Sequence, residues 1–292
     1  MPRPQTPPAA PTCVTPRLAL ACALAALAAA PSAARAQDDD ERYDDGGRTE
    51  RNAFNWSGQI PAGRWLYVQN LNGPIRVERA SGREVQVTAD RTTRRGDPRA
   101  VRFEAKRAGD GQSVVVCAIW YDRTCDEEGY HGGDSWSSDR RDQVSVAFTV
   151  RVPQGVRLNI TTVNGGLEIR GASAEVVART TNGPVRAESS GGPVSARTTN
   201  GPVFARMTTV GAARDLDFTT TNGSVVVEMP DNLGAEVSMS TTNGSVSTEF
   251  PATVQGRVDP RRLTVTLGDG SRRVRLRTTN GNVELRRVSG TR

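Results

Sequence analysis

The residues best suited to chemistry lie in one long insertion, 119–142, IWYDRTCDEEGYHGGDSWSSDRRD. It gathers Trp120, Tyr121, Tyr130, His131 and Trp136 among aspartates and arginines. Aromatic rings displayed on a polar loop are what carbohydrate- and protein-binding surfaces use, so these five form the candidate binding set. The alternative is a plain loop tied at its base by Cys117 and Cys125, which lie eight residues apart. Hydrolytic chemistry would have to use His131, the only histidine of the chain, with no visible supporting shell. One histidine and two thiols make no metal set, and no cofactor motif is present. The acidic run of Asp38, Asp39, Asp40, Asp44 and Asp45 lacks the alternating ligand spacing of a calcium loop. The expectation is therefore no catalytic residues, no metal and no cofactor.

Composition places this chemistry outside the cytoplasm. Arg3 and Arg17, the apolar run 18–31 and the small-x-small ending Ala34-Arg35-Ala36 read as an export signal cleaved after Ala36. The apolar run is too short for a mature membrane span. The signal takes Cys13 and Cys22 with it and leaves Cys117 and Cys125, for which a disulfide is the expected state in an oxidising compartment. It also removes three arginines (Arg3, Arg17 and Arg35) and no acid, leaving 35 basic against 32 acidic residues. A near-neutral mature chain gives no reason to expect a nucleic-acid partner. Residues 37–57 read as an acidic disordered linker, and 58–288 as one repeat domain.

What must position the loop is a repeat. Asn-Gly recurs at Asn72-Gly73, Asn164-Gly165, Asn182-Gly183, Asn200-Gly201, Asn222-Gly223, Asn243-Gly244 and Asn280-Gly281. From Gly165 to Gly244 the steps are 18, 18, 22 and 21 residues, and the last gap of 37 is close to two steps. Counted from each Asn, positions six and four before and three and five after are apolar in every repeat, Thr248 excepted. That is period-two alternation on both sides of a corner, hence strand, turn, strand with one buried face. A Thr stands two before the Asn in six repeats and Asn70 in the first. In phase with the buried set, its hydroxyl can bond a neighbouring coil or the turn backbone.

Asn-Gly is a strong hairpin signal. A tight hairpin closes on the N–H of the residue after Gly, yet Pro74, Pro184 and Pro202 have none. An Asn-Gly corner needs only left-handed backbone geometry. The predicted fold is thus all-β: a β-solenoid, parallel β-helix-like, of about 18–22 residues per coil. Its coil array spans 154–288, and an antiparallel meander over 58–153 would cap the first coils. Arg170, Glu188, Arg206, Glu228, Glu249 and Arg286 occupy one outward position, and most stacked neighbours there are of opposite sign. Segment 251–270 holds one strand and could be a degenerate coil or an excursion.

The run VPQGVRLNITTVNGGLEIRG (152–171), its echo LYVQNLNGPIRVERA (66–80) and the later Thr-Thr-Asn-Gly units carry a resemblance. They resemble the bacterial putative-adhesin family of β-strand-repeat domains, a domain of unknown function found in exported and envelope proteins. The resemblance implies a β-solenoid-like fold and a periplasmic or surface location, and supplies no catalytic residues. The functional expectation is a non-enzymatic binding or adhesion scaffold whose partner is an envelope glycan or a surface protein. Its rivals are a ligand-free structural or signalling component of the envelope and, third, a polysaccharide-active β-helix enzyme.

Overall fold

The structure is a computed structural model, describing residues 48–132, 143–211, 215–251 and 259–288. In chain order the first strands are β1 (Arg48–Gly58), β2 (Trp65–Gln69), β3 (Ile75–Arg79), β4 (Val85–Arg95) and β5 (Val101–Arg107). Then come β6 (Val114–Trp120), β7 (Thr124–Cys125), β8 (Tyr130–His131) and β9 (Gln143–Val152). The middle holds β10 (Arg157–Thr161), β11 (Leu167–Ala172), β12 (Val176–Arg179), β13 (Val185–Ser189), β14 (Val194–Arg197) and β15 (Val203–Met207). It ends with β16 (Leu216–Thr219) and β17 (Val225–Met229). Last are β18 (Ala235–Ser240), β19 (Val246–Thr248), β20 (Arg262–Leu267), β21 (Arg273–Arg277) and β22 (Val283–Arg287).

Each coil sends one strand into each of two sheets. Strands before the Asn-Gly corner build a pre-corner sheet, ordered β20-β18-β21-β16-β14-β12-β10-β2-β6-β5. Strands after it build a post-corner sheet, ordered β1-β4-β9-β3-β11-β13-β15-β17-β22-β19. Equivalent positions stack in parallel register, as in Leu158↔Val176↔Val194 and Val185↔Val203↔Val225. This is the β-solenoid that the alternation demands. The apolar positions flanking each corner form one core between the sheets, and only Val246 and Thr248, on the edge strand β19, fall short of full burial.

The corner has the expected positive backbone φ at glycine but not at asparagine. Among the described residues only Asn52 and Tyr121 are non-glycines with positive φ, so no corner Asn is left-handed. Six of the seven corner glycines have φ between 121° and 157°. The reason shared by all seven is clearance. A Cβ on any of them would sit 2.0–2.3 Å from a backbone oxygen of the adjacent coil. The Asn side chains bond to one another instead. Nδ2 of Asn182 donates to Oδ1 of Asn164 at 2.7 Å, and Asn200, Asn222, Asn280 and Asn243 continue the ladder at 2.7–2.8 Å. Beneath it the buried threonines donate to the corner carbonyl next door, as Thr198 Oγ1 does to Gly183 O at 3.0 Å. Asn70, the exception, donates instead to both Gly73 O and Val146 O.

Two boundaries and the order of the coils differ from expectation, and one open segment is resolved in part. Residues 48–57, placed in the linker, belong to β1, which pairs antiparallel with β4. Its Phe54 packs on the core and stacks on Phe103 at 5.2 Å, an apolar alternation outweighing the charges before it. The region 58–153 is no separate meander: β6 and β9 stack in parallel on β2 and β3 as a further coil, because they share the same alternation. Antiparallel β5, and β4 with β1, then cover that coil on the two sheets. In segment 251–270, left open between a coil and an excursion, the described strand β20 runs antiparallel on β18 and closes the other end of the pre-corner sheet.

The third difference is order. The coil of β21 and β22 is last in sequence but lies between the coil of β16 and β17 and the coil of β18 and β19. In sequence order Glu228 would face Glu249. The insertion places Arg286 opposite Glu228, and Glu228 and Glu249 both help raise the Arg286 pKa, behind its hydrogen bond and charge contact with Glu284.

Candidate functional site

The long insertion replaces an Asn-Gly corner. Val68 and Ile75 flank the first corner seven residues apart, and their stacking partners Val116 and Phe148 are 32 apart. The loop therefore leaves the array on the corner edge. Its base is fastened by the Cys117–Cys125 disulfide, with Cα atoms 6.4 Å apart, and by the two-residue pairing of β7 with β8. Val115, Cys117 and Ile119 point away from the main core, and with Ala108 and Cys125 they form a second small core packed by Tyr67 and Tyr130.

Most of the candidate rings are part of that fastening. Trp120 is only 8% exposed and belongs to the main core. Tyr130 donates its hydroxyl to Ala118 O at 2.5 Å, and burial pushes its pKa well above the ordinary phenol value. Tyr121 is half-buried against the main core, with φ of 56°. His131 is exposed, its Nε2 2.8 Å from Asp126 Oδ1. That contact, more than the backbone N–H groups of Glu128 and Gly129, holds the Asp126 pKa low. Trp136 lies outside the described residues. Of the described candidates, Trp120 and Tyr121 pack on the main core, Tyr130 on the second core, and His131 is exposed, so these four do not form one displayed platform. Among the described residues no group of three or more His, Cys, Asp or Glu is placed to hold a metal ion.

The broad surfaces are the outer faces of the sheets, and they differ. On the post-corner face the charges pair: Arg76 with Glu168 at 3.1 Å, Arg186 with Glu188 at 2.7 Å, Arg206 with Glu228 at 3.6 Å. A groove of about 510 Å³ runs beside its corner prolines, with Arg186 lying over Phe204 at 4.3 Å. On the pre-corner face Arg157 covers Trp65 at 4.0 Å and pairs with Glu175. Farther along, Arg179, Arg262, Arg273, Arg275 and Arg277 are exposed, and their side chains have no ion pair or hydrogen bond among the described residues. Sequence reasoning missed this face. Its signal was the alternation Arg-Val-Arg-Leu-Arg at 273–277, but its neighbours, Asp217 beside Arg275 and Glu236 beside Arg273 among them, follow from the permuted coil order.

The repeat, its corner and both sheets coincide with a known domain: the family model for Toastrack DUF4097 matches residues 64–286. The chain belongs to this family. The Toastrack domain thus covers the array and the coil that carries the loop. Three solved structures align with it. A putative cell adhesion protein from Clostridium sporogenes ATCC 15579 is 8% identical, over 82% of this chain and 100% of its own, with a TM-score of 0.43. A putative adhesin from Bacteroides fragilis NCTC 9343 is 8% identical over 80% and 96%, TM-score 0.26. Another from Parabacteroides distasonis ATCC 8503 is 11% identical over 82% and 97%, TM-score 0.24. No curated protein matches this Toastrack chain.

Proposed function

We propose that the protein is a non-enzymatic binding or adhesion scaffold, exported to the periplasm or cell surface with cleavage after Ala36. It engages its ligand with the flat pre-corner face rather than with the loop aromatics. One observation carries this reading: Trp120 and Tyr130 are committed to packing, while exposed arginines outnumber the acids Asp217 and Glu236 beside them on the sheet and Arg273, Arg275 and Arg277 form no ion pair among the described residues. A fixed face binds without the cost of ordering a loop. The paired carboxylates of the post-corner face offer an enzyme no free acid and base at glycosidase spacing.

The test is a binding screen of the mature chain against cells, envelope glycans and surface proteins, beside two variants. Arg275→Ser with Arg277→Ser is expected to lose binding, and Tyr121→Ser with His131→Ala to keep it. Loss with the loop variant alone would return the site to the loop. Absence of binding by any form would favour a structural spacer.

A further inference from the structure

One part of the pre-corner face has a period, which ends where Arg179 stands beside Arg197. Register places Arg197 beside Thr219, Thr219 beside Arg277, Arg277 beside Ser240 and Ser240 beside Arg262. The row runs straight across five strands as arginine, hydroxyl, arginine, hydroxyl, arginine. With strands about 4.8 Å apart, the cations recur about every 9.6 Å. Arg197 has Asp217 at 3.9 Å, and Arg262 has Asp259 as its bridge partner, whose Oδ1 accepts from the Arg261 N–H; the side chains of Arg262 and Arg277 form no ion pair among the described residues. Nothing apolar interrupts the row.

We propose that this row binds an extended acidic polysaccharide carrying one carboxylate per disaccharide. The assignment rests on the binding-scaffold reading above and names its ligand. A two-strand advance is close to that of a disaccharide in an extended β-linked chain, so successive carboxylates fall on successive guanidinium groups. Guanidinium is planar and presents paired donors that match a carboxylate. Thr219 and Ser240, half-buried between the arginines, lie under the intervening sugars; Thr219 donates its hydroxyl to Asp217 and is left to accept from a sugar, while Ser240 can donate and accept. A lipid headgroup layer would be better served by apolar side chains able to enter the bilayer, and the row has none.

The experiment titrates the mature chain with hyaluronan, which alternates charged and neutral sugars, and with polygalacturonate, neutral dextran and phosphatidylglycerol vesicles. The variants are Arg197→Ser, Arg277→Ser and Arg262→Ser singly and together. Arg76→Ser on the opposite face is the control, and an unchanged Tm certifies each fold. Hyaluronan is expected to bind most tightly and to weaken with salt. Each row substitution should cost about tenfold in affinity, and the control should cost nothing. Preference for dextran or for a surface protein overturns the acidic-glycan assignment while the scaffold reading stands. Preference for vesicles, or equal binding by the triple variant, also overturns it. Failure of every probe, cells included, sinks both.

Discussion

The two edges of the array obey different rules. At the corner edge seven residues separate the flanking core positions in every repeat, as in Ile160 to Leu167 or Phe218 to Val225. At the opposite edge the spacing is seven from Ile169 to Val176, eleven from Ala205 to Leu216 and ten from Val227 to Val237. Among the Asn-Gly repeats the variation in length arises there; only the coil of β6 and β9, which lacks the motif, is extended at the corner edge. The corner edge is locked by contact: glycine against backbone, amide on amide, threonine on carbonyl. The opposite edge is close only where equal coils meet, as at Gly192 over Ala174, and opens where a longer coil begins, at Gly211. A repeat signature therefore marks where coils touch, not where they bind.

Gly201→Ala should break the contrast most severely. Its Cβ would meet Gly183 O at 2.3 Å, backbone against backbone at φ of 149°. The expected loss is about 3 kcal/mol or more, read by denaturant unfolding. Asn200→Ala removes the bond to Asn182 and the one from Asn222. These are exposed, so a loss of about 1 kcal/mol is expected; an unchanged midpoint would show the ladder to be ornamental to stability.

Acid titration probes the opposite edge at the turn before β6. Asp110 accepts from the hydroxyl and N–H of Ser113 at 2.7 Å each and from Gln112 N–H at 2.9 Å. Those bonds, the Ser113 hydroxyl first, hold its pKa at about 2 against an ordinary 3.8. A lowered folded value means that its stabilisation is complete above 3.8 and is lost as pH falls toward about 2. Asp110→Ala should lower Tm near neutrality and flatten the decline in that window. Gly211→Ala should have the smallest effect. Nothing stands within 3.8 Å of its Cβ, so Tm should stay put or rise slightly.

Much of this was legible in the sequence, for local reasons. Alternation around each Asn-Gly marked the strands, and Pro184 and Pro202 excluded the hairpin. Thr198 could be assigned to the interior from its phase alone. The function of Asn200 could not, because an amide ladder exists only between coils. Trp120 looked like a loop residue until the parallel register of β6 carried it into the core. The arginine face depended on which coil lies next to which, and chain order is a poor guide to that after Met229. A binding set is harder still to read: alternation fixes which way a side chain points, not what it meets outside.

The permuted coil has a consequence for how the protein is made. A solenoid stacked in chain order can zip up from its first coil as the polypeptide emerges. Here β18 has only β20 beside it and β19 has no strand partner until β21 and β22 arrive, about forty residues later. Folding from the first coil onward would stall at Met229 and finish only when nearly the whole chain is available. The C-terminal coil acts as a keystone, and a chain cut short before it would be left with an open seam rather than a shorter stack.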